Sequence, residues 1–258
     1  MYTAASGMSA QQLNLDTIAN NLANSATTGF RQLSLQFQDM VYQNFVTPGA
    51  AQSQQTVSAG LQVGLGTRPT STEVIMTQGE LNQTNNPLDL AIEGTGFFQV
   101  QRPDGTIAFT RAGQFHLNNQ GTIVTPDGDP VIPTITIPAN AVSVTITQYG
   151  VVNATLSGQT NPAQLGQLQL VTFANPGGLE NVGGNLLTQT LSSGDPVIGN
   201  PGGTEGLGTL QQGYLENSNV DVVTEFVQMV LAQRAYESNS KVIKAADDMY
   251  SQVNNMTR

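Results

Sequence analysis

The only histidine, His116, stands between Phe115 and Leu117 in a run of β-type sequence. A catalytic imidazole needs a nucleophile to serve or a carboxylate to orient it, and none is spaced around this one. It is therefore read as structural or surface-exposed. Asp127 and Asp129 lie in Pro126-Asp127-Gly128-Asp129-Pro130. Two carboxylates two residues apart can share a hard cation, but the loop that completes a calcium site is missing, and the composition is that of a tight turn. Gly60, Gly64 and Gly66 have no following Lys-Ser or Lys-Thr, so they do not spell a phosphate-cradling loop. Gly94-Thr95-Gly96 lacks a third glycine and leads into a strand, which fits a turn or close packing. There is no Gly-x-Ser-x-Gly and no cysteine, which removes nucleophile elbows, thiol catalysis and cysteine metal sites. The reading is a chain without enzymatic chemistry, cofactor or metal.

Composition narrows the class further. A chain of 258 residues holds one large or two small domains with enough length for a real core. Charged residues make up 10%, the formal net charge is −10, and no Lys or Arg occurs between Arg111 and Arg234. A nucleic-acid binder needs a basic stripe against the phosphates, so that class is excluded, and an anionic membrane surface is disfavoured by the same field. The first thirty residues contain no Lys or Arg and no uninterrupted apolar run. That removes a cleavable signal peptide and a membrane span, and leaves a cytoplasmic location or export without signal cleavage. The absence of cysteine suits an oxidising or extracytoplasmic destination.

With no chemistry to position, the elements themselves carry the information. Met8, Leu15 and Leu22 repeat every seven residues, with Ala4, Gln11 and Ile18 alongside. This predicts an amphipathic helix over 3–24, with Gly29 placed for its C-cap. Val222, Met229, Tyr236, Ile243 and Tyr250 repeat likewise, with Ala232, Asn239, Ala246 and Val253 between them. A second helix is predicted over 219–256, roughly 50 Å long. Ser218 to Asp221 gives it a capping-box-like start, Asp221 and Glu225 suit its first turn, and Glu237 and Lys241 are placed for an i,i+4 ion pair. Neither stripe is a sufficient core alone, because a handful of buried side chains at roughly 1.5–3 kcal/mol each hardly offsets the ordering of thirty residues. The helices must pair with each other and then with neighbours. Asn20, Asn21, Asn24, Asn239, Asn254 and Asn255 fit amides that exchange hydrogen bonds across packed helices.

Between the helices the pattern is β-type. Leu33, Leu35 and Phe37 alternate, and residues 47–70 are rich in Gln, Ser, Gly and Thr. The alternation of Leu61, Val63 and Leu65 favours an extended arm over disorder. Short runs at 97–101, 107–110, 114–117 and 122–125, punctuated by turn residues, predict a meander of hairpins. Further strands are expected at 142–146, 151–156 and 168–173, with a loop-rich stretch over 175–208, after which 211–216 returns the chain to the helical base.

Three groups of residues bear a resemblance. The run from Asp16 through Ala19, Asn20, Asn21, Leu22, Ala23 and Asn24, followed by Thr28-Gly29-Phe30, resembles the N-terminal signature of bacterial flagellar rod and hook proteins. Ser218-Asn219-Val220-Asp221, with Gln233-Arg234-Ala235-Tyr236-Glu237, resembles that family's other end. Gly94-Thr95-Gly96-Phe97-Phe98, Pro103-Asp104-Gly105 and Thr110-Arg111-Ala112-Gly113 match in the insert, in the expected order. Length and the segment 43–69 are most similar to the distal rod members, whereas the short opening Met1-Tyr2-Thr3-Ala4-Ala5-Ser6-Gly7 departs from the usual pattern and keeps a proximal rod relative as the alternative; a hook subunit, whose insert is usually larger, is the other.

The resemblance implies an α+β fold: terminal helices paired as a coiled-coil-like base (1–30 with 217–258), an extended arm (31–87 with 205–216) and an inserted antiparallel β domain (88–204). It implies a structural subunit exported through the flagellar type III apparatus and polymerising helically into a torque-transmitting drive shaft in the basal body. Its partners would be other copies, proximal rod and hook subunits, and the peptidoglycan and outer-membrane ring proteins. The expected assembly interface is Met8, Leu15, Ile18, Leu22, Val222, Phe226, Met229, Tyr236, Ile243 and Tyr250, with the amides Asn20, Asn21, Asn24 and Asn239. The expected stiffening arm carries Pro48, Gly49, Gly60, Leu61, Val63 and Gly64. The terminal helices are expected to be largely disordered in the free monomer. The competing readings are a surface adhesin or binding module and, more weakly, a secreted hydrolase using unrecognised carboxylates.

Overall fold

The computed structural model describes residues 1–46, 51–52, 55–56, 60–159, 161–203 and 206–256. The chain divides into two compact units, one of residues 1–23, 33–74 and 221–258, the other of residues 24–32 and 75–220. The fold is α+β, and every strand pairing among the described residues is antiparallel.

The first unit holds the helices α1 (Tyr2–Ala23) and α2 (Val222–Met256), which pack side by side. Gly7 permits the approach, because a Cβ there would stand 2.9 Å from Asn239 Nδ2. The rest of this unit is a two-stranded ribbon. Leu33–Asp39 pairs with Thr67–Val74, and Tyr42–Val46 pairs with Leu61–Gly64. Asn21, buried in α1, donates its Nδ2 to the Leu33 carbonyl at 2.8 Å and accepts the Leu33 N–H at 2.9 Å. The amide is thus committed to the chain's own ribbon rather than offered to a neighbouring helix, because both its hydrogen-bonding ends match one extended backbone residue.

Helix ends differ from the pattern in two places. α1 stops at Ala23, and Gly29 is not its cap; turns carry the chain through residues 24–28. At α2 the cap is Asp221 rather than Ser218. Asp221 accepts the Val223 N–H at 3.0 Å and the Thr224 hydroxyl at 2.7 Å, satisfying a donor that the helix start would otherwise leave open. Glu237 pairs with Arg234 at 3.3 Å, one turn back, instead of with Lys241. Both positions are neighbours on a helix surface, and the pair is well exposed.

The second unit is all β. Its largest sheet has the order Val131–Ile132, Phe98–Gln101, Ile107–Thr110, Leu186–Thr188, Glu180–Gly183. The predicted meander holds for the hairpin Phe98–Gln101/Ile107–Thr110 and for His116–Leu117/Ile123–Val124, but these lie in different sheets. The strand beside Ile107–Thr110 comes from the stretch expected to be loop. That stretch also holds Glu180–Gly183 and Val197–Gly199. Its glycines are turn residues between three-residue and four-residue strands, too short to register as alternation. A sheet of Ala141–Ile146, Val151–Leu156 and Ala163–Gln167 completes the insert, and Leu90–Glu93 pairs with Thr209–Gln212.

The core is unequally shared. The second unit buries Leu90, Ile92, Phe98, Val100, Phe115 and Val152, among others, with Phe98 and Phe115 edge to face at 5.1 Å. Among the described residues of the first unit, only Ala4, Ala10, Ile18, Val74 and Ala232 are buried apolar side chains. Three of those five are alanines, so their burial supplies little toward ordering such a unit.

The capping bonds hold the Asp221 carboxyl below the ordinary aspartate range, through Thr224 first and Val223 second. Its folded-state pKa is depressed, so the cap contributes above the unfolded value and is lost as pH falls through the folded one. In a carboxyl-carbon NMR titration Asp221 is expected to titrate below an exposed aspartate, with Val223 amide protection falling in step. A midpoint at or above the ordinary value would refute the cap.

Candidate assembly interface

The helical stripe is only half covered by its own chain. Met8, Leu15, Leu22, Met229, Asn239 and Ile243 are half-buried, and Ile18 is buried. Val222, Phe226, Tyr236 and Tyr250 are exposed, and Asn20 lies at the surface. Asn24 belongs to the second unit, where its Oδ1 accepts the Thr27 hydroxyl at 3.2 Å.

A second apolar face runs along the start of α2 that the seven-residue count did not single out. Val223, Phe226, Val227, Val230 and Leu231 follow i, i+3, i+4, i+7, i+8 spacing and are all more than half exposed. The helix thus carries one apolar stripe against α1 and a second one open to solvent. Sequence could have found this face, since the spacing is there; the seven-residue repeat masked it.

The ribbon is similarly apolar outside. Of the expected arm residues, Leu61 and Val63 are exposed in the strand Leu61–Gly64, opposite Tyr42–Val46, and Gly60 precedes it. Pro48 and Gly49 lie outside the described residues. Val41 and Phe45 are 78% and 59% exposed, so the ribbon presents more apolar surface than a solvated hairpin needs.

The second unit contains a site that sequence reading missed. Arg31, Arg111 and Glu216 are all buried. Arg31 Nη2 lies 2.7 Å from Glu216 Oε1, and Arg111 Nε lies 3.1 Å from Glu216 Oε2. The second contact is off line for a hydrogen bond, so it is a Coulombic contact. Glu216 Oε1 also accepts the Gly79 N–H at 2.9 Å, and the Glu216 carbonyl accepts the Gly29 N–H at 2.8 Å. Arg111 donates Nη1 to Gly96 O at 2.7 Å and Nη2 to Gly94 O at 2.8 Å, while Arg31 donates Nη1 to Thr77 O at 2.9 Å. Four stretches of chain thereby meet around one carboxylate.

Backbone packing seals the junction. Gly29 has φ +70°, and a Cβ there would stand 2.6 Å from the Ala112 nitrogen, so only glycine fits. Nearby, Asn219 donates Nδ2 to the carbonyls of Ile75 at 2.8 Å and Thr77 at 3.0 Å, and accepts the Gln32 N–H at 2.7 Å. The Thr28-Gly29-Phe30, Gly94-Thr95-Gly96 and Thr110-Arg111-Ala112-Gly113 motifs therefore meet in one structure. No signal in the sequence links Arg31 to Glu216 across 185 positions.

The other candidate residues behave as surface and turn. His116 is exposed. Asp127 and Asp129 belong to a turn in which the Gly128 N–H meets the Thr125 carbonyl at 2.9 Å and the Thr125 N–H meets the Asp129 carbonyl at 2.9 Å. Among the described residues no group of three His, Asp or Glu converges as metal ligands, and no helix is long and apolar enough to cross a membrane.

Comparison with known proteins matches three segments of the chain. Residues 1–31 match the family described as flagella basal body rod protein, residues 91–154 the flagellar hook protein FlgE/F/G D1 domain, and residues 211–256 the flagellar basal body rod FlgEFG protein C-terminal family. The flagellar basal-body rod protein FlgG of Caulobacter vibrioides is 48% identical over 251 residues, covering 96% of this chain and 95% of that protein. FlgG of Buchnera aphidicola subsp. Acyrthosiphon pisum is 46% identical over 257 residues, covering 99% and 98%. The chain belongs to the flagellar basal-body rod protein family.

Within this rod family member, the family matches at residues 1–31 and 91–154 each contribute one arginine to the buried cluster, and the match at 211–256 contributes the carboxylate. Burial pushes the Arg111 guanidinium down to about 10, Glu216 works against that, and the Arg31 charge adds to it. Glu216→Gln leaves two buried guanidinium groups without their anion and is expected to destabilise the second unit by about 3–5 kcal/mol. Native-state hydrogen exchange at Val100 reads that loss. Glu180→Gln, on an exposed strand, should leave it unchanged, and equal protection in both variants would show that the cluster does not hold the unit.

Proposed function

We propose that this chain is a structural subunit of the distal part of the flagellar rod, polymerising helically through α1 and α2 into a stiff shaft that carries torque from motor to hook. One observation carries the reading: the first unit has two helices and a ribbon with hardly any core, and its large apolar side chains face outward. Such a unit gains its missing burial from other copies, and head-to-tail contacts that do not close on themselves produce a helical polymer. In this reading the helices pair as a coiled-coil-like base, the ribbon is the stiffening arm, and the β insert forms an outer domain, so the three-part division 1–30/217–258, 31–87/205–216 and 88–204 is functional. The subunit works in the basal body, spanning the periplasm after export without signal cleavage. It meets proximal rod and hook subunits and the surrounding peptidoglycan and outer-membrane rings. The reading asks no catalysis of any residue.

The exposed face of α2 gives a cleaner test than the buried Ile18, whose replacement would damage the subunit itself. Phe226→Asp and Leu231→Asp, at 51% and 64% exposure, should abolish rod formation and motility while leaving the β unit folded by NMR. Motile cells with intact basal bodies in both variants would sink the proposal. For the arm, removing residues 42–64 leaves the pairing of Leu33–Asp39 with Thr67–Val74 intact. The expected product is a curved or more flexible polymer in electron micrographs; a straight rod of unchanged stiffness would count against the assignment.

A further inference from the structure

The charges at the Arg31–Glu216–Arg111 cluster do not balance. Two guanidinium groups against one carboxylate leave one positive charge, held where Arg31 is 7% and Arg111 5% exposed. Backbone carbonyls take some of the donors, but Arg31 Nε is buried without a hydrogen-bond partner. A buried donor left open on a charged group is costly and is normally answered by an acceptor.

Both arginines line the same cavity, about 360 Å³ in volume and wholly within the second unit. Its remaining walls include Met76, Phe97, Phe173 and Pro176, and no acidic residue lines it. Gln78, the polar side chain best placed to answer the arginines, is already spent: its Nε2 donates to the Ile92 carbonyl and its Oε1 accepts the Gly94 N–H, both at 3.0 Å. Phe97 and Phe173 stand edge to face at 6.1 Å, with the Arg111 guanidinium 5.9 Å from the Phe97 ring centre. The volume falls in the range of small-ligand sites, and an apolar wall with a few convergent charged groups is their usual make-up.

We propose that this cavity binds a carboxylate carried on an apolar or aromatic body. The carboxylate would sit against the cavity wall that Arg31 and Arg111 line and cancel the surplus charge, while the body packs on Phe97, Phe173 and Met76. A neutral ligand of the same shape gains only the second part. The like-charge pressure of Arg31 on Arg111 points the same way, since an added anion relieves it. Two sources supply this chemistry: a free small carboxylate, or an Asp or Glu side chain of a second copy, which is plentiful in a chain with 18 acidic and 8 basic residues. The inference stands on the second unit alone and does not depend on the rod reading.

Benzoate is the probe, added to the full-length chain at constant ionic strength. The thermal midpoint of the β unit should rise saturably, by about 3–6 °C at ten times the Kd. Benzyl alcohol, with the ring but no charge, should raise the midpoint by less than half as much at the same concentration. Met76→Glu places a carboxylate in the cavity from within the chain and should abolish the benzoate shift, whereas Met76→Gln should retain it. Equal shifts with benzyl alcohol, no saturable shift, or a full benzoate response in folded Met76→Glu would each overturn the proposal. Light scattering then separates the sources. Benzoate that slows self-association marks an acidic side chain of another copy as the occupant; unchanged association with the midpoint shift intact marks a free carboxylate.

Discussion

Glu216 is the residue on which the architecture of the second unit turns. Its carboxylate binds one arginine from the segment after α1 and a second from the residue that directly follows Ile107–Thr110, and its backbone pairs with Gly29 and with Leu81–Gln83. The segments so joined are those through which the chain passes toward α1, the ribbon and α2. A buried ion cluster is a weak source of net stability, because desolvation cancels most of the attraction. What it supplies is discrimination: any other register leaves a buried charge without its partner. That suits a junction where four separate stretches of chain must meet in one arrangement.

The two units represent opposite solutions to the same free-energy problem. The β unit encloses two apolar clusters, with Phe98, Phe115, Phe109 and Phe173 in edge-to-face contact, and has the means to be stable by itself. The helical unit spends its apolar residues on its outside. Among its described residues the buried apolar side chains are Ala4, Ala10, Ala232, Ile18 and Val74, and three small alanines among five bury little area. Such a surface is a liability for a solitary molecule and an asset for one that is always surrounded by copies. The division of labour fits a family whose members build rods.

Much of the fold was legible because its signals are local. The seven-residue repeats placed both helices within three residues of their observed ends, and the runs at Ile107–Thr110 and Val151–Leu156 were read to the residue. Helix ends were read less well: Gly29 looked like a cap because it follows the last periodic residue, yet its left-handed backbone serves a packing contact with Ala112. The strands within residues 175–208 escaped because they are three or four residues long and are set among glycines, with Glu180–Gly183 itself exposed and ending on one. Leu186–Thr188 is a strand chiefly because Ile107–Thr110 offers it an edge, a fact located some eighty residues away.

The sequence by itself determined the class of the protein. Its composition spells no familiar catalytic motif and no basic stripe, its terminal repeats spell amphipathic helices, and its motifs mark the rod family, because each of these rests on neighbours a few positions apart. Only the tertiary structure decided what those motifs are for. Arg31, Arg111 and Glu216 carry no mutual signal along the chain, since the pairing of buried charges is set by burial and distance, which exist only once the chain has folded. The same holds for the open apolar face of α2 and for the uncompensated charge beside the cavity. Both are statements about what remains uncovered after every local preference has been met.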